Sequence, residues 1–427
     1  MGILEKGGNA FDAAVAAGFA LQVLEPHLNG PGGDVPIILN DVRTKRTEVI
    51  CGQGVAPALA TIDAFRSLDL DLVPGTGLLP AVVPGSFDAW MLLLRDHGTM
   101  GLAEVLEPAI ALAGEGYPVV WRIPVAIDTV KDFFLEHWPT NAAVWLKNGK
   151  APEAGSLHTN PALAATYARI IKESAAAGGN REKRIEAARR AWYKGFVAEA
   201  IDKFYSTACL MDVTGRHHTG LLRGEDLARW QATKEAPLAL DYGRYRVFKC
   251  GPWSQGPAAL QQLALLKNFA LDGLDPTSPD WIHAVIECAK LAFADREAYY
   301  ADPDFVDVPV ETLLSPSYNE ARAKLVGKEA SMELRPGTAG GKKHHVDFEA
   351  AVRRAAKAKD GGVGEPTTAR GIGEPTMSEA HSGHGADELR TSRLGATRGD
   401  TCHLDVIDRH GNMVSATPSG GWLQSSP

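Results

Sequence analysis

The chain has 427 residues, of which 45% are hydrophobic and 22% charged, and its formal net charge is −8. These values are ordinary for a globular protein, and the acidic balance excludes the basic surface that nucleic-acid and anionic-membrane binding require. We therefore expect neither nucleic acid nor a membrane as a partner. The length suits two or three average domains, or one large layered domain.

The five cysteines are widely scattered, and none is in CxxC spacing. This predicts neither a disulfide framework nor a zinc site. Other candidate metal ligands are His344 and His345, and the pair His381 and His384, which lack carboxylate or cysteine companions and are typical of solvated segments. We expect no metal and no cofactor.

The longest apolar run near the start, Ala13 to Leu24, is short and adjoins Asp12. It is not typical of a membrane span or a secretory signal, and no targeting signal is visible. A cytoplasmic location is therefore the expectation. The sequence enters a helix almost at once, as though an upstream segment were missing.

The first predicted elements are a buried helix, a glycine turn and a β-hairpin. Asn9 is placed to cap a helix from Ala10 to Leu24, whose apolar residues on all sides predict burial. The glycines at 30, 32 and 33 predict a tight turn or an anion cradle. A strand around Ile37 to Leu39 then pairs with a strand in Arg46–Pro57.

The middle of the chain is predicted to be mostly helical. Pro108 predicts a kink, or the first turn of a second helix, within 102–113. The segment GPWSQGP places Ser254 in a loop between a strand and a helix that starts at about Pro257. Backbone N–H groups at such a helix start can bind a carboxylate or an oxyanion, although glycines needed only for the turn explain the loop nearly as well.

Composition changes over residues 335–400, where Gly, Ala, Thr, Ser and charged residues dominate. One short helix is predicted at Asp347–Lys359. The remainder cannot bury enough apolar area to order itself, so we predict a flexible linker that is open to cleavage. The tripeptide at 398–400 matches a cell-adhesion motif, which we attribute to chance.

The linker ends at Thr401, where TCHLDVID alternates as a strand and a turn leads into MVSAT. A threonine hydroxyl is a weak nucleophile until a base removes its proton. Cleavage directly before Thr401 would free an α-amino group with a pKa of about 7.7–8.0, which can serve as that base. On these residues alone, an ordinary hairpin after a linker and a threonine nucleophile both stay open.

Several long blocks, in order, resemble the γ-glutamyltransferase (glutathione hydrolase) family of N-terminal-nucleophile hydrolases. They are ILEKGGNAFDAAVAAGFALQVLEP, NGPGGD, VPGSFDAW, HGTMGLAEVLEPAIALAGEGYPV, WYKGFVAEAI, AKLAFADREAYYADPDFVDVP and DTCHLDVIDRHGNMVSATPSG. The resemblance implies an α+β fold, specifically a four-layered αββα sandwich. It also implies three regions: 1–334 as the large subunit, 335–400 as the linker, and 401–427 as the start of a truncated small catalytic subunit.

The resemblance further implies self-cleavage of the Asp400–Thr401 bond, after which Thr401 attacks an amide or γ-glutamyl carbonyl to form an acyl-enzyme. Water or an amine then resolves this intermediate. Thr417 matches a second threonine that assists the nucleophile, and His403 matches a position near the cleavage point. The implied partners are a small amide substrate, such as glutathione, and the protein's own cleaved small subunit.

Three departures from the family pattern bear on the substrate. Gln53 stands where the family has a glutamate-binding arginine, so a bidentate clamp on a carboxylate would be lost. A substrate-gripping asparagine is replaced near Gly421, and the small subunit should continue well beyond Pro427. The alternatives are therefore an amidase for a non-glutamyl amide, such as oxamate or a β-lactam side chain, or an inactive truncated remnant. Cys402 is the rival nucleophile to Thr401.

Overall fold

The computed structural model describes residues 1–70, 73–344 and 401–427. Contacts between them divide these residues into two compact units. The first contains Met1–Arg46, Ile50–Lys234 and residues 401–427, and the second contains Thr47–Val49 and residues 235–344. The predicted helix at Asp347–Lys359, the histidines at 345, 381 and 384, and most of the predicted linker lie outside the described residues.

The described residues form an α+β structure, as the sequence predicts. The helices are α1 (Gly2–Glu5), α2 (Ala10–Leu24), α3 (Ile62–Ser67), α4 (Ser86–His97), α5 (Leu102–Glu115), α6 (Arg122–His137), α7 (Pro139–Trp145), α8 (Pro161–Ala176), α9 (Arg181–Tyr193), α10 (Phe196–Thr207), α11 (Gly224–Arg229), α12 (Gly256–Leu266), α13 (Pro279–Tyr299), α14 (Val310–Leu314) and α15 (Pro316–Ala323). The strands are β1 (Val35–Asp41), β2 (Arg46–Gly52), β3 (Tyr117–Pro118), β4 (Leu157–His158), β5 (Cys209–Met211), β6 (His217–Thr219), β7 (Thr233–Glu235), β8 (Leu238–Tyr242), β9 (Tyr245–Lys249), β10 (Leu404–Ile407) and β11 (Met413–Ala416).

The sheet of the first unit brings the C-terminal hairpin beside the first strand of the chain. Four of its five strands run in the order β10-β11-β1-β2, so the predicted hairpins β1–β2 and β10–β11 are confirmed. In the antiparallel register, Ala416 pairs with Leu404 on one side and with Ile37 on the other. Alternate residues of β1 are buried, which turns one face of the sheet to the core.

Helix α2 covers that buried face and packs against α4, α5, β10 and β11. Its predicted cap is confirmed, because Asn9 Oδ1 accepts hydrogen bonds from the backbone N–H groups of Phe11 and Asp12, both at 3.0 Å. Asp12 Oδ2 in turn accepts from the Asn9 backbone at 2.9 Å. Gly18 lets the helix approach the Trp90 indole, since a Cβ built there would lie 2.4 Å from that ring. The helix is therefore fixed both at its start and along its length.

Pro108 lies inside one continuous helix, α5, and does not begin a second helix there. None of the helices within the described ranges is both long enough and apolar enough to cross a membrane.

In the second unit, the long helix α13 packs against α12. A buried carboxylate on α13, Asp295, accepts hydrogen bonds from Gln261, Tyr318 and the backbone of Gly337. It also pairs with Arg322 at 3.2 Å. Because each of these bonds satisfies a buried charge, this cluster is an internal support of the second unit.

Asp408, in the turn between β10 and β11, ties the hairpin to the start of α2. Its Oδ2 accepts from the Ala10 backbone N–H at 3.0 Å and from Asn412 Nδ2 at 2.7 Å. Its Oδ1 accepts from the backbone N–H groups of His410 and Asn412. Burial opposes ionisation, but these hydrogen bonds outweigh it and lower the pKa of Asp408 below its usual value.

We predict that Asp408→Ala lowers the free energy of unfolding by about 2 kcal/mol at pH 7, because four donors lose their acceptor. The pKa of Asp408 is lowered by folding, so its contribution is present above the usual carboxyl pKa and disappears as the pH falls through the folded value. Denaturant titrations at several pH values measure this. Arg409→Ala, an exposed change in the same turn, is the matched control and should stay within about 0.5 kcal/mol.

Candidate active site

The hairpin register places Thr401 at one end of the sheet, opposite Ser419. Thr401 and Ser419 form an isolated antiparallel bridge, and Cys402 N donates to Pro418 O at 3.0 Å. Because side chains alternate along a strand, Thr401 and His403 share one face with Thr417 and Ser419. Their exposure agrees with this, since Cys402 is buried on the other face.

Four polar side chains on the open face form two hydrogen-bonded pairs. Thr401 Oγ1 lies 3.1 Å from Ser419 Oγ, and His403 Nδ1 lies 2.8 Å from Thr417 Oγ1. The other ring nitrogen of His403 lies 3.1 Å from Asp405 Oδ2. When that nitrogen carries the proton and donates it to Asp405, Nδ1 is left as an acceptor for the Thr417 hydroxyl. The structure thus brings together three residues singled out from the sequence: Thr401, His403 and Thr417.

Backbone pairing with the start of β1 holds Ser419 in place. Asp34 N donates to Ser419 O at 2.8 Å, and Ser419 N donates to Asp34 O at 3.1 Å. The glycine turn makes this approach possible, since a Cβ built on Gly33 would lie 2.0 Å from Ser419 O. Gly420 has φ +75° and Gly421 has φ +63°, in the left-handed region that glycine adopts readily. Glycines on both sides of the contact therefore make it possible.

Gln53, the residue in place of the expected arginine, lies at this same end of the sheet. It is exposed and directly follows Gly52, the last residue of β2. A Cβ built on Gly52 would lie 2.7 Å from Val35 O, so the end of β2 adjoins the start of β1 beside Asp34. A role for Gln53 in substrate binding stays a prediction.

Gly421 packs against the glycine turn, because a Cβ built on it would lie 2.8 Å from Gly33 N. It also lines a cavity of about 440 Å³ together with Asn29, Tyr117 and Trp422. A role for Gly421 in substrate binding likewise stays a prediction.

Ser254 lies in the second unit, in the loop before α12. Its Oγ donates to Gly251 O at 2.8 Å and accepts from Gly256 N at 3.0 Å, so the hydroxyl closes its own turn. Its backbone N–H also donates to Gly251 O. These bonds account for the serine locally, and its predicted substrate-binding role stays a prediction.

Cys402, the rival nucleophile, faces the core. Its Sγ lies 3.2 Å from Asn29 Nδ2. Burial raises the pKa of the thiol to about 11, with a smaller effect in the same direction from Glu25. A thiol with that pKa is almost wholly protonated near neutral pH, so Thr401 on the open face is the better placed candidate.

Two residues of this site, Ser419 and Asp34, are not among those predicted from the sequence. The signal for Ser419 is its spacing, because it lies two residues after Thr417 and so continues the same face. Asp34 could not be found in this way, since its place depends on the pairing of β1 with β11 across almost the whole chain.

The arrangement is that of an α+β protein with a candidate hydroxyl nucleophile at the head of a strand. A family model described as Gamma-glutamyltranspeptidase matches residues 1–426, so the chain belongs to the gamma-glutamyltranspeptidase family. The chain is 32% identical over 327 residues to the glutathione hydrolase-like YwrD proenzyme of Bacillus subtilis (strain 168), a match that covers 76% of this chain and 57% of that protein.

Two solved structures resemble nearly the whole chain. The structure of LmbA2991HD matches with a TM-score of 0.85 and 48% identity, covering 100% of this chain and 66% of that one. The crystal structure of cephalosporin acylase from Bacillus halodurans matches with a TM-score of 0.74 and 28% identity, covering 98% of this chain and 62% of that one. The chain therefore spans less than two thirds of the length of these relatives.

The close approach at Gly33 predicts that a side chain there destabilises the fold, and the neighbouring Gly32 provides the control. Gly33→Ala should lower the free energy of unfolding by about 2 kcal/mol, because its Cβ would meet Ser419 O at 2.0 Å. Gly32→Ala places its Cβ 3.9 Å from the nearest atom outside its own neighbours and should have a much smaller effect. Denaturant unfolding of both variants measures the difference, and equal effects would contradict the close packing of the turn on Ser419.

Proposed function

We propose that this chain is an autoprocessing N-terminal-threonine hydrolase or transferase of the gamma-glutamyltranspeptidase family. The observation that carries the proposal is the placement of Thr401 shortly before strand β10, with its hydroxyl 3.1 Å from that of Ser419. The His403–Thr417 pair on the next row of the same face supports it. Membership of the family supplies the reaction class.

In the processing step, Thr401 Oγ attacks the carbonyl carbon of Asp400. A C–O bond forms, the C–N bond breaks, and the hydroxyl proton passes to the leaving nitrogen. Water then hydrolyses the resulting ester, which leaves a carboxylate on Asp400 and a free α-amino group on Thr401. That amino group is the general base for the mature reaction, in which Thr401 forms an acyl-enzyme with an amide substrate. In this scheme, Thr417 and His403 assist the nucleophile.

The proposed organisation is a large-subunit region at 1–334, a linker at 335–400 and the start of the small subunit at 401–427, within a four-layered αββα sandwich. Two large apolar side chains on the face that carries Thr401 support a second sheet there: Ile407 is 64% exposed and Met413 is 47% exposed. Exposed apolar groups of this kind favour a covering layer. The proposed partners are a small amide substrate and the protein's own cleaved small subunit.

Autocleavage gives the direct test. Incubation of the purified chain should produce two fragments whose masses place the cut between residues 400 and 401, and the smaller fragment should begin with Thr401. Thr401→Ala should abolish the cut, because no hydroxyl remains to attack. Thr401→Ser should retain cleavage, which intact mass spectrometry can follow. A chain that remains intact would favour the inactive-remnant alternative, and cleavage that persists in Thr401→Ala would remove Thr401 from the proposal.

For the substrate, we propose a γ-glutamyl amide such as glutathione, by analogy with the glutathione hydrolase-like relative. A second candidate, favoured by Gln53, is a non-glutamyl amide such as oxamate or a β-lactam side chain, and the match to a cephalosporin acylase agrees with it. Gln53 is neutral and cannot form the two charge-assisted bonds that an arginine offers to a carboxylate. Gly421 and Ser254 are further proposed substrate contacts.

The two candidates predict different responses to Gln53→Arg in the cleaved protein. If Gln53 faces an acyl group that bears a carboxylate, the change should raise kcat/KM for a γ-glutamyl anilide roughly tenfold or more, since a bond to a charged group contributes about 1.5–3 kcal/mol. Hydrolysis of a primary amide whose acyl group carries no carboxylate, measured by ammonia release, should not rise. An unchanged kcat/KM for the anilide would contradict the assignment of Gln53 to the acyl site.

A further inference from the structure

Asp34 is an ionisable side chain at the candidate site that the scheme above does not use. It lies at the end of the glycine turn, immediately before β1, and is partly buried. Two backbone hydrogen bonds of 2.8 and 3.1 Å fix it opposite Ser419. Asp34 Oδ1 lies near Gly420, the residue after Ser419, since a Cβ built on Gly420 would be 3.9 Å from this oxygen.

The register puts three side chains in one row, on the segments just outside β1, β11 and β10. Asp34 pairs with Ser419, and Ser419 pairs with Thr401. Residues directly opposite each other in antiparallel strands project to the same face, with Cβ atoms about 4.5–5.5 Å apart. Ser419, whose hydroxyl is 3.1 Å from Thr401 Oγ1, is therefore the middle residue of a row that runs from Thr401 to Asp34.

The backbone around Asp34 is tightly held. Gly33 O accepts hydrogen bonds from the N–H groups of Gly85 and Ser86, both at 3.0 Å. The backbone that carries the Asp34 side chain is therefore fixed in place. Such fixed placement is what a group needs if it is to receive a proton from a defined neighbour.

Burial raises the pKa of Asp34 to about 6, although its own backbone N–H opposes the shift. The carboxylate is therefore ionised at neutral pH but is a stronger base than an exposed aspartate. Other titratable groups on the elements that meet here include His403 and Asp405 on the same face, Cys402 and Cys51, and Asp88 on α4. Asp88 is paired with Arg189.

We propose that Asp34 is a positioning residue for the nucleophile. During self-cleavage, its carboxylate accepts the Thr401 hydroxyl proton through Ser419. The inference rests on the proposed function, because it assumes that Thr401 is the attacking group. It goes beyond that function by assigning the base for the step that precedes release of the α-amino group.

The proton movements balance over the step. Thr401 Oγ gives its proton to Ser419 Oγ as it bonds to the carbonyl carbon of the preceding residue, and Ser419 passes its own proton to the Asp34 carboxylate. When the C–N bond breaks, Asp34 returns one proton to Ser419, and Ser419 gives one proton to the amide nitrogen. Ser419 and Asp34 end in their starting states, so no further reactant is needed apart from the water that hydrolyses the ester.

The test is the pH dependence of self-cleavage, followed by intact mass on the full chain. In the unmodified protein the rate should be level above about pH 7 and fall roughly tenfold by pH 5, because protonated Asp34 cannot accept a proton. Asp34→Asn should lower the pH-independent cleavage rate seen above about pH 7 by at least about tenfold, and it should remove the inflection near pH 6. Ser419→Ala should have a similar effect, whereas Asp63→Asn, on the exposed helix α3, should leave the profile unchanged.

Three results would overturn the inference. Cleavage of Asp34→Asn at the normal rate would do so, and so would a slower rate that keeps the inflection near pH 6, since that pattern indicates only a structural role. If the unmodified chain fails to cleave, both the proposed function and this inference fall, whereas normal cleavage of Asp34→Asn removes the inference alone. Denaturant unfolding of each variant separates loss of the base from loss of the fold.

Discussion

The candidate site depends on one constraint, the register in which β11 lies between β1 and β10. Residue 416 faces residue 37 on one side and residue 404 on the other, and this fixes which side chains share a face. A slip of one residue would turn Thr401 toward the core and expose Cys402. The core resists such a slip, because Leu404, Val414 and Ala416 would all leave it. The position of the nucleophile is therefore set by apolar side chains that have no chemical role.

The same register explains why glycines cluster at 30–33 and 420–421. Backbone approaches backbone so closely that a Cβ on Gly30 would lie 2.3 Å from Gly421 O. A tight turn is one of the two explanations that the sequence allows for these glycines, and the close approaches at Gly30 and Gly33 support it. An anion cradle is not needed to explain them. Their effect on the site is indirect, since they allow Asp34 and Ser419 to pair.

The sequence predicted the elements well wherever periodicity and capping agree. Asn9 and the apolar run after it defined α2, and alternation defined both hairpins. The family resemblance predicted Thr401, His403 and Thr417 as site residues, and the geometry of the hairpin brings the three together. Asp34 was missed because strand partners far apart in the chain cannot be read from local pattern. Ser254 was chosen for its loop, and the loop's own hydrogen bonds account for that serine.

The bond from Ala10 to Asp408 joins residues 398 positions apart. During synthesis, the start of α2 leaves the ribosome long before Asp408 is translated. That helix end therefore lacks one of its acceptors, and the sheet lacks the strand beside β1, until the hairpin is made. Contacts of such long range slow folding, because the chain must close a large loop before they form. Assembly of the site must therefore wait until the hairpin has left the ribosome, and this delays any chemistry at Thr401 until then.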